Sequence, residues 1–183
     1  LAASASNTLG LPPDQIALIH HAGLVHRLGA SGVSTAIWNN ATPLSAVEQE
    51  RVRQVPHFTE LTLCRQPRLA SIGMIAGMAY ERMDGSGYPR GLTGASIPSA
   101  ARILAAAAAY QELAEARPYR PAQESGERRA TVLREVGIGR LDGASVEAVL
   151  TAAGHRTRRR RQSVAGLTAR EMQVLDLLVR GLS

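Results

Sequence analysis

Lysine is absent from this sequence of 183 residues, so all 21 basic residues are arginines. Cys64 is the only cysteine, which excludes a disulfide within the chain and a zinc site built on cysteines. No apolar run approaches the roughly 20 residues that span a bilayer, and no signal-peptide pattern is present. We therefore expect a cytoplasmic protein with no membrane partner.

Aromatic residues make up only 3% of the sequence, whereas hydrophobic residues make up 45%. The core must therefore be built from aliphatic residues and alanine, a composition that favours closely packed helices. The formal net charge of +6 allows an anionic partner without proving one. Because the chain begins with Leu1 and not with methionine, we expect it to be a fragment of a longer protein.

Helical periodicity predicts an all-α fold, since no segment shows the sustained alternation of a strand. Ser45 and Glu48 fit a capping box, and Asp142 fits an N-cap. Gly73 and Gly77, four residues apart, predict close packing between helices. Residues 1–10 are expected to be a frayed end or a separate short helix. The predicted helices cover residues 11–30, 42–55, 68–83, 99–116, 124–136 and 142–154.

The run DGSGYPRGLTGASIP, residues 84–98, is a predicted loop because of its glycines and prolines. An A-R-I-L helix and the segment R-P-Y-R follow it. In this order the segments resemble the second half of an HD-GYP domain, a branch of the HD metal-dependent phosphohydrolases. The segment IALIHHAGLVH resembles the one that carries the HD pair. The resemblance implies an all-α bundle that, when active, binds metal ions and hydrolyses phosphodiesters such as cyclic di-GMP.

Carried over position by position, this resemblance implies that most metal ligands have been replaced. The HD pair falls on His20 and His21, so the aspartate is lost. The other ligand positions hold Val55, Ala79, Tyr80, Ala108 and Gln111. A lone imidazole binds a divalent metal weakly. We therefore predict no catalytic residue, no metal and no cofactor. His20 is expected to be a half-buried, hydrogen-bonded histidine, and the alternative is that His20, His21 and His57 gather a metal in an arrangement unlike the family's.

The DGSGYP loop is interpreted as a structural scaffold, because Gly85, Gly87 and Gly91 allow positive φ values and Asp84 can accept hydrogen bonds from loop N–H groups. The alternative is a nucleotide pocket in which Arg117 and Arg120 contact phosphate. That pocket would comprise Asp84, Gly85, Gly87, Tyr88, Pro89, Arg117 and Arg120.

The C-terminal segment GLTAREMQVLDLLVRGLS resembles the opening of a LuxR-type helix-turn-helix. Its scaffold-helix positions are Leu167, Thr168, Arg170 and Glu171. The preceding run is interpreted as a solvated linker, with phosphate contact as the alternative for Arg158, Arg159, Arg160 and Arg161. The predicted domains are a degenerate HD-GYP-like domain at 1–153, a linker at 154–165 and the first helix of a truncated helix-turn-helix at 166–183.

Together these resemblances favour a transcription regulator, not an enzyme, whose HD-GYP-like domain is a sensory or dimerising module. Its expected partners are double-stranded DNA and a second copy of the chain. Two alternatives stay open. One is a metal-dependent phosphohydrolase acting on a cyclic dinucleotide or another nucleotide. The other is an interaction module without a ligand, whose contact faces are the helix at 99–116 and the face that carries Gly73 and Gly77.

Overall fold

The structure, a computed structural model, describes residues 1–155. Over this range it contains nine α-helices and no strand, which confirms the all-α prediction. The helices are α1 Ala2–Thr8, α2 Pro13–Val25, α3 Thr35–Trp38, α4 Ala46–Arg53, α5 Val55–Cys64, α6 Ala70–Ala76, α7 Ser99–Glu112, α8 Ser125–Gly137 and α9 Gly143–Ala152. None of these helices has the length and apolar character needed to cross a bilayer. The predicted C-terminal helix and most of the arginine-rich run lie outside the described residues.

Helix α7 lies at the centre of the fold. Nine of its 14 residues are buried, and most of these are alanines. A helix that is apolar around its whole circumference belongs in the interior, where small side chains let neighbouring backbones approach closely. Helices α1, α2, α6, α8 and α9 all contact it. Most of the core therefore forms around this one helix.

Two segments in the first half of the chain extend the sequence prediction. Residues 1–10 were predicted to be a frayed end or a separate short helix, and they form the short helix α1, which packs against α9 and α2 and fully buries the side chains of Ala5 and Ser6. Helix α5 was not predicted, because Pro56 after α4 suggests an end. Proline is nevertheless well suited to a first helical turn, where its missing N–H would have no partner.

The helix predicted over 68–83 is shorter in the structure. Helix α6 ends at Ala76, and tighter turns follow it, in which the N–H groups of Met78 and Glu81 bond carbonyls three residues back. Apolar spacing alone does not distinguish such turns from a continuing helix. The difference matters because these turns carry Tyr80 and Glu81.

The predicted helix starts are confirmed. The Ser45 hydroxyl accepts from the N–H of Glu48, and the Glu48 carboxylate accepts from the N–H of Ser45 at 2.8 Å. The carboxylate of Asp142 accepts from the N–H of Ser145 at 2.8 Å. These caps depend only on residues three positions apart, so the sequence predicts them well.

The predicted close approach at Gly73 and Gly77 is also confirmed, and the partner is α5. A Cβ atom on Gly73 would lie 2.9 Å from Cβ of Leu63 and 3.0 Å from Sγ of Cys64. One on Gly77 would lie 2.7 Å from Oε2 of Glu60. Both glycines therefore let α6 and the turns after it press directly against α5.

We expect Gly73→Val to lower the free energy of unfolding by about 1–3 kcal/mol, because the added side chain overpacks the α5–α6 contact. Urea unfolding followed by circular dichroism measures this change. Gly126→Val on α8 is the matched control, since no atom lies within 4 Å of the Cβ position there. Equal unfolding midpoints for the two variants would contradict the steric explanation.

Candidate functional site: an aromatic–arginine pocket

Four of the six aromatic residues in the sequence line one cavity of about 200 Å³. The cavity lies where the end of α2, helix α3, the α4–α5 corner, the α6–α7 connection and the end of α7 meet. We call it the aromatic–arginine pocket. It is lined by Arg27, Trp38, Val52, Val55, Tyr80, Tyr88, Glu112, Arg117, Tyr119 and Arg120.

The pocket contains one stacked pair of tyrosines and two further aromatic rings. Tyr80 and Tyr88 stack on each other, with ring centroids 5.2 Å apart and an interplanar angle of 11°. The guanidinium of Arg27 lies over the Trp38 ring, 5.9 Å from its centroid. Tyr119 is 57% exposed at the rim. The stacked tyrosines thus form a half-buried wall, while Tyr119 stays accessible to a ligand.

Tyr80 takes its place through a hydrogen bond, with the phenol donating to the carboxylate of Glu112. Burial first, and then the negative charge of Glu112, raise the pKa of Tyr80 far above its usual value. Burial likewise raises the pKa of Tyr88 to about 12. Both phenols are therefore neutral at physiological pH, and neither is a base.

Arg27 and Arg117 share one acceptor beside the pocket. Nη1 of Arg27 donates to Oε2 of Glu115 at 2.9 Å, and Nη2 of Arg117 donates to the same oxygen at 2.8 Å. Burial opposes the charge on Arg27, but the hydrogen bond to Glu115 and the negative charge of that carboxylate favour it, and the pKa of Arg27 is raised above its ordinary value. The pocket therefore holds a permanent cation.

Arg120 has a different role, because its guanidinium donates hydrogen bonds to backbone carbonyls. It donates to the carbonyls of Leu113, Glu112, Glu115 and Pro121. A side-chain cation that binds the last carbonyls of a helix satisfies acceptors that have no partner within the helix. Arg120 thus fixes the end of α7 and the segment that carries Arg117.

The loop beside the pocket is held by Glu81, a residue that the sequence reading did not single out. Its side chain is 1% exposed. One carboxylate oxygen accepts from the N–H of Arg90 and the other from the N–H of Leu92, both at 2.8 Å. A buried carboxylate is stable only with such partners. In the sequence, the only signal for this role is that Glu81 is an acidic residue three positions before the loop begins at Asp84.

Glycines in the loop serve two different purposes. Gly85 and Gly91 have positive φ values of 82° and 63°, as predicted. Gly87 does not adopt a positive φ, which corrects the prediction for it. Its backbone instead packs against the preceding segment, where a Cβ would lie 2.3 Å from N of Arg82. The peptide bond between Tyr88 and Pro89 is cis.

The structure divides the predicted ligand-pocket residues into two sets. It brings Tyr88, Arg117 and Arg120 into the pocket, whereas Asp84, Gly85, Gly87 and Pro89 do not line it. Asp84 accepts from the N–H and the hydroxyl of Ser86 and pairs with Arg140 at 3.5 Å. Asp84 therefore has a structural role at the start of the loop.

The inferred metal-ligand positions are also separated from one another. Val55 and Tyr80 line the aromatic–arginine pocket, while His20, Ala108 and Gln111 line a second cavity of about 240 Å³. His20 is exposed, not half-buried as predicted, and its ring lies 5.6 Å from that of His21. His57 is exposed beside Phe58. Ala79 is fully buried.

These donor residues do not fit a metal ion. Among residues 1–155, no group of three or more His, Cys, Asp and Glu side chains could hold one. Hard divalent cations need several oxygen or nitrogen ligands that converge on one point. In the pocket, the one lining carboxylate, Glu112, already accepts from Tyr80.

The fold and site together define an all-α domain with a pocket beside a glycine-rich loop. A family model described as the HD domain matches residues 1–144, and the chain therefore belongs to the HD-domain family.

Several curated proteins are similar to this chain. The 3'3'-cGAMP-specific phosphodiesterase 1 of Vibrio cholerae is 33% identical over 142 residues, which are 78% of this chain and 33% of that protein. The cyclic di-GMP phosphodiesterase response regulator RpfG of Xanthomonas campestris is 35% identical over 116 residues, 62% of this chain and 31% of that protein. A cyclic di-GMP phosphodiesterase of Vibrio cholerae is 30% identical over 147 residues, 76% of this chain and 30% of that protein. The chain thus spans about a third of the length of these relatives.

These relatives contradict two predictions. The chain was predicted to be a DNA-binding transcription regulator and not an enzyme, whereas its relatives are phosphodiesterases and point to a phosphohydrolase. The predictions gave too much weight to single ligand positions and to a short C-terminal motif. The positions of that motif, Leu167, Thr168, Arg170 and Glu171, and the arginines at 158–161 lie outside the described residues.

We expect Glu81→Gln to lower the free energy of unfolding by about 1–3 kcal/mol, because the amide NH₂ cannot accept from a loop N–H group. Chemical denaturation measures the change. Glu147→Gln on the exposed side of α9 is the matched control. If both variants unfolded at the wild-type midpoint, Glu81 would not hold the loop.

We expect Asp84→Asn to make stability less dependent on acid pH. The hydroxyl of Ser86 first, then its N–H, and more weakly Arg140, hold the pKa of Asp84 below its usual range. A carboxylate with a lowered folded pKa stabilises the fold above about pH 4 and loses that contribution as pH falls further. Unfolding midpoints measured between about pH 6 and pH 3 should fall less steeply in the variant than in the wild type. Parallel curves would contradict this role.

Proposed function

We propose that this chain is a phosphohydrolase domain of the HD-GYP branch that takes a cyclic dinucleotide into the aromatic–arginine pocket. The observation that carries the proposal is the concentration of four of the chain's six aromatic residues in one pocket with three arginines. In a sequence so poor in aromatics, such a concentration needs a reason beyond core packing.

The chemistry of the pocket suits a nucleotide phosphodiester. Aromatic faces stack on bases of any sequence, and guanidinium groups bind phosphate oxygens. Tyr119 and Trp38 offer rings at or near the surface, and Arg27 and Arg117 offer positive charge. The relatives narrow the choice of ligand, because those proteins are phosphodiesterases of 3'3'-cGAMP or cyclic di-GMP.

In this proposal, the described residues serve substrate binding. Arg120 fixes the segment that presents Arg117 and Tyr119, and Glu81 fixes the loop that presents Tyr88. Residues 1–155 contain no set of His, Cys, Asp and Glu side chains suited to a metal ion, so the proposal routes no catalytic step through a metal ion held by these residues.

Trp38, the only tryptophan, allows a direct binding test. Titration of the full chain with cyclic di-GMP or 3'3'-cGAMP should change its fluorescence saturably. Chromatography of the same samples should then reveal a linear dinucleotide product. Failure of both nucleotides to bind would refute the proposal, and binding without product would refute its hydrolytic part.

We expect Tyr119→Ala to weaken cyclic dinucleotide binding roughly 5- to 150-fold, the equivalent of about 1–3 kcal/mol for one lost base stack. Calorimetric titration measures the dissociation constant. Phe58→Ala is the matched control, because Phe58 is similarly exposed but does not line the pocket. Equal weakening in both variants would show that the effect is not specific to the pocket.

A further inference from the structure

We infer that Arg27 is the phosphate-binding cation of the aromatic–arginine pocket and that nucleotide binding there needs no divalent metal. This inference rests on the proposed function, because it specifies how the same pocket binds its anionic ligand. It assigns a role to Arg27, which lies outside every motif found in the sequence.

Charge around the pocket has the sign that suits an anion. Arg27, Arg117 and Arg120 line it, and the guanidinium of Arg53 lies over the Tyr88 ring, 4.8 Å from its centroid. Three carboxylates accompany these four cations: Glu115 pairs with Arg27 and Arg117, Glu50 pairs with Arg53 at 4.0 Å, and Glu112 accepts from Tyr80. A site for a divalent cation needs the opposite balance, with several anionic ligands around one positive centre. The excess of guanidinium charge therefore favours phosphate.

Glu115 places the guanidinium groups of Arg27 and Arg117 side by side. Nη1 of Arg27 and Nη2 of Arg117 donate to the same oxygen of Glu115. The distance between these two nitrogens therefore cannot exceed the sum of the two hydrogen-bond lengths. Each guanidinium carries five N–H donors in a planar fork, and one nitrogen of each group donates to Glu115. Donors thus remain on both groups for the oxygens of a phosphodiester.

Arg27 is better placed for this role than the other arginines. Its side chain is 29% exposed, so it is reachable and also held by Glu115. Arg120 is used by four backbone carbonyls. Arg27 also lies over the Trp38 ring, so one ligand could place a phosphate on the guanidinium and a base on the indole.

The test is calorimetric titration of the full chain with cyclic di-GMP, once with EDTA and once with manganese. We expect dissociation constants within about twofold of each other, and no manganese bound to the protein alone by elemental analysis after gel filtration. Binding that is lost in EDTA, or a stoichiometric manganese ion, would overturn the inference while leaving the proposed function in place.

Variants at Arg27 test its role directly. Arg27→Ala should weaken binding in EDTA at least tenfold, and Arg27→Lys should weaken it less, because a lysine keeps the charge but loses the fork. Arg129→Ala on α8 is the matched control, since Arg129 does not line the pocket. Circular dichroism verifies that each variant is folded, and wild-type affinity in a folded Arg27→Ala variant would overturn the inference.

Pyrophosphate separates the two proposals if cyclic di-GMP does not bind under either condition. Pyrophosphate that binds in EDTA, and binds more weakly to Arg27→Lys, would support the metal-free anion site and refute the cyclic dinucleotide as its ligand. If neither probe changes the Trp38 fluorescence or the calorimetric signal, both proposals are wrong.

Discussion

Burial of α7 is the constraint on which the rest of the structure depends. Half of its side chains are alanine, and this helix packs closely against five neighbouring helices. The end of α7 places Glu112 beside the chain that leaves α2 at Arg27 and beside the turns that carry Tyr80. The pocket thus forms at one end of the core, where three packed segments terminate together.

Within that pocket, the roles of anions and cations are the reverse of those in a metal centre. Carboxylates here position other protein groups: Glu112 accepts from Tyr80, and Glu115 accepts from Arg27 and Arg117. Under the proposed function, aromatic rings bind the bases of the ligand and guanidinium groups bind its phosphates, a set of groups unlike that of a metal centre.

Local signals in the sequence predicted local structure well. The Ser45 capping box, the Asp142 cap and the glycines that face α5 depend on short spacings, which a sequence displays directly. Contacts between distant segments were not predictable in this way. Glu81 finds partners about ten residues ahead, and Arg27 finds Glu115 at a separation of 88 residues. The functional prediction was wrong for a related reason, because ligand positions read one by one do not reveal what a folded pocket can bind.

Tyr80 and Glu81 are adjacent in the chain, and this adjacency joins two regions that look separate. Tyr80 contributes its ring to the pocket wall, while Glu81 binds the loop at Arg90 and Leu92. The N–H of Tyr88 also donates to the carbonyl of Tyr80. The loop and the pocket wall are therefore linked by both backbone and side-chain hydrogen bonds. In evolutionary terms, the pocket alone is a sufficient reason for the glycine-rich loop to be retained.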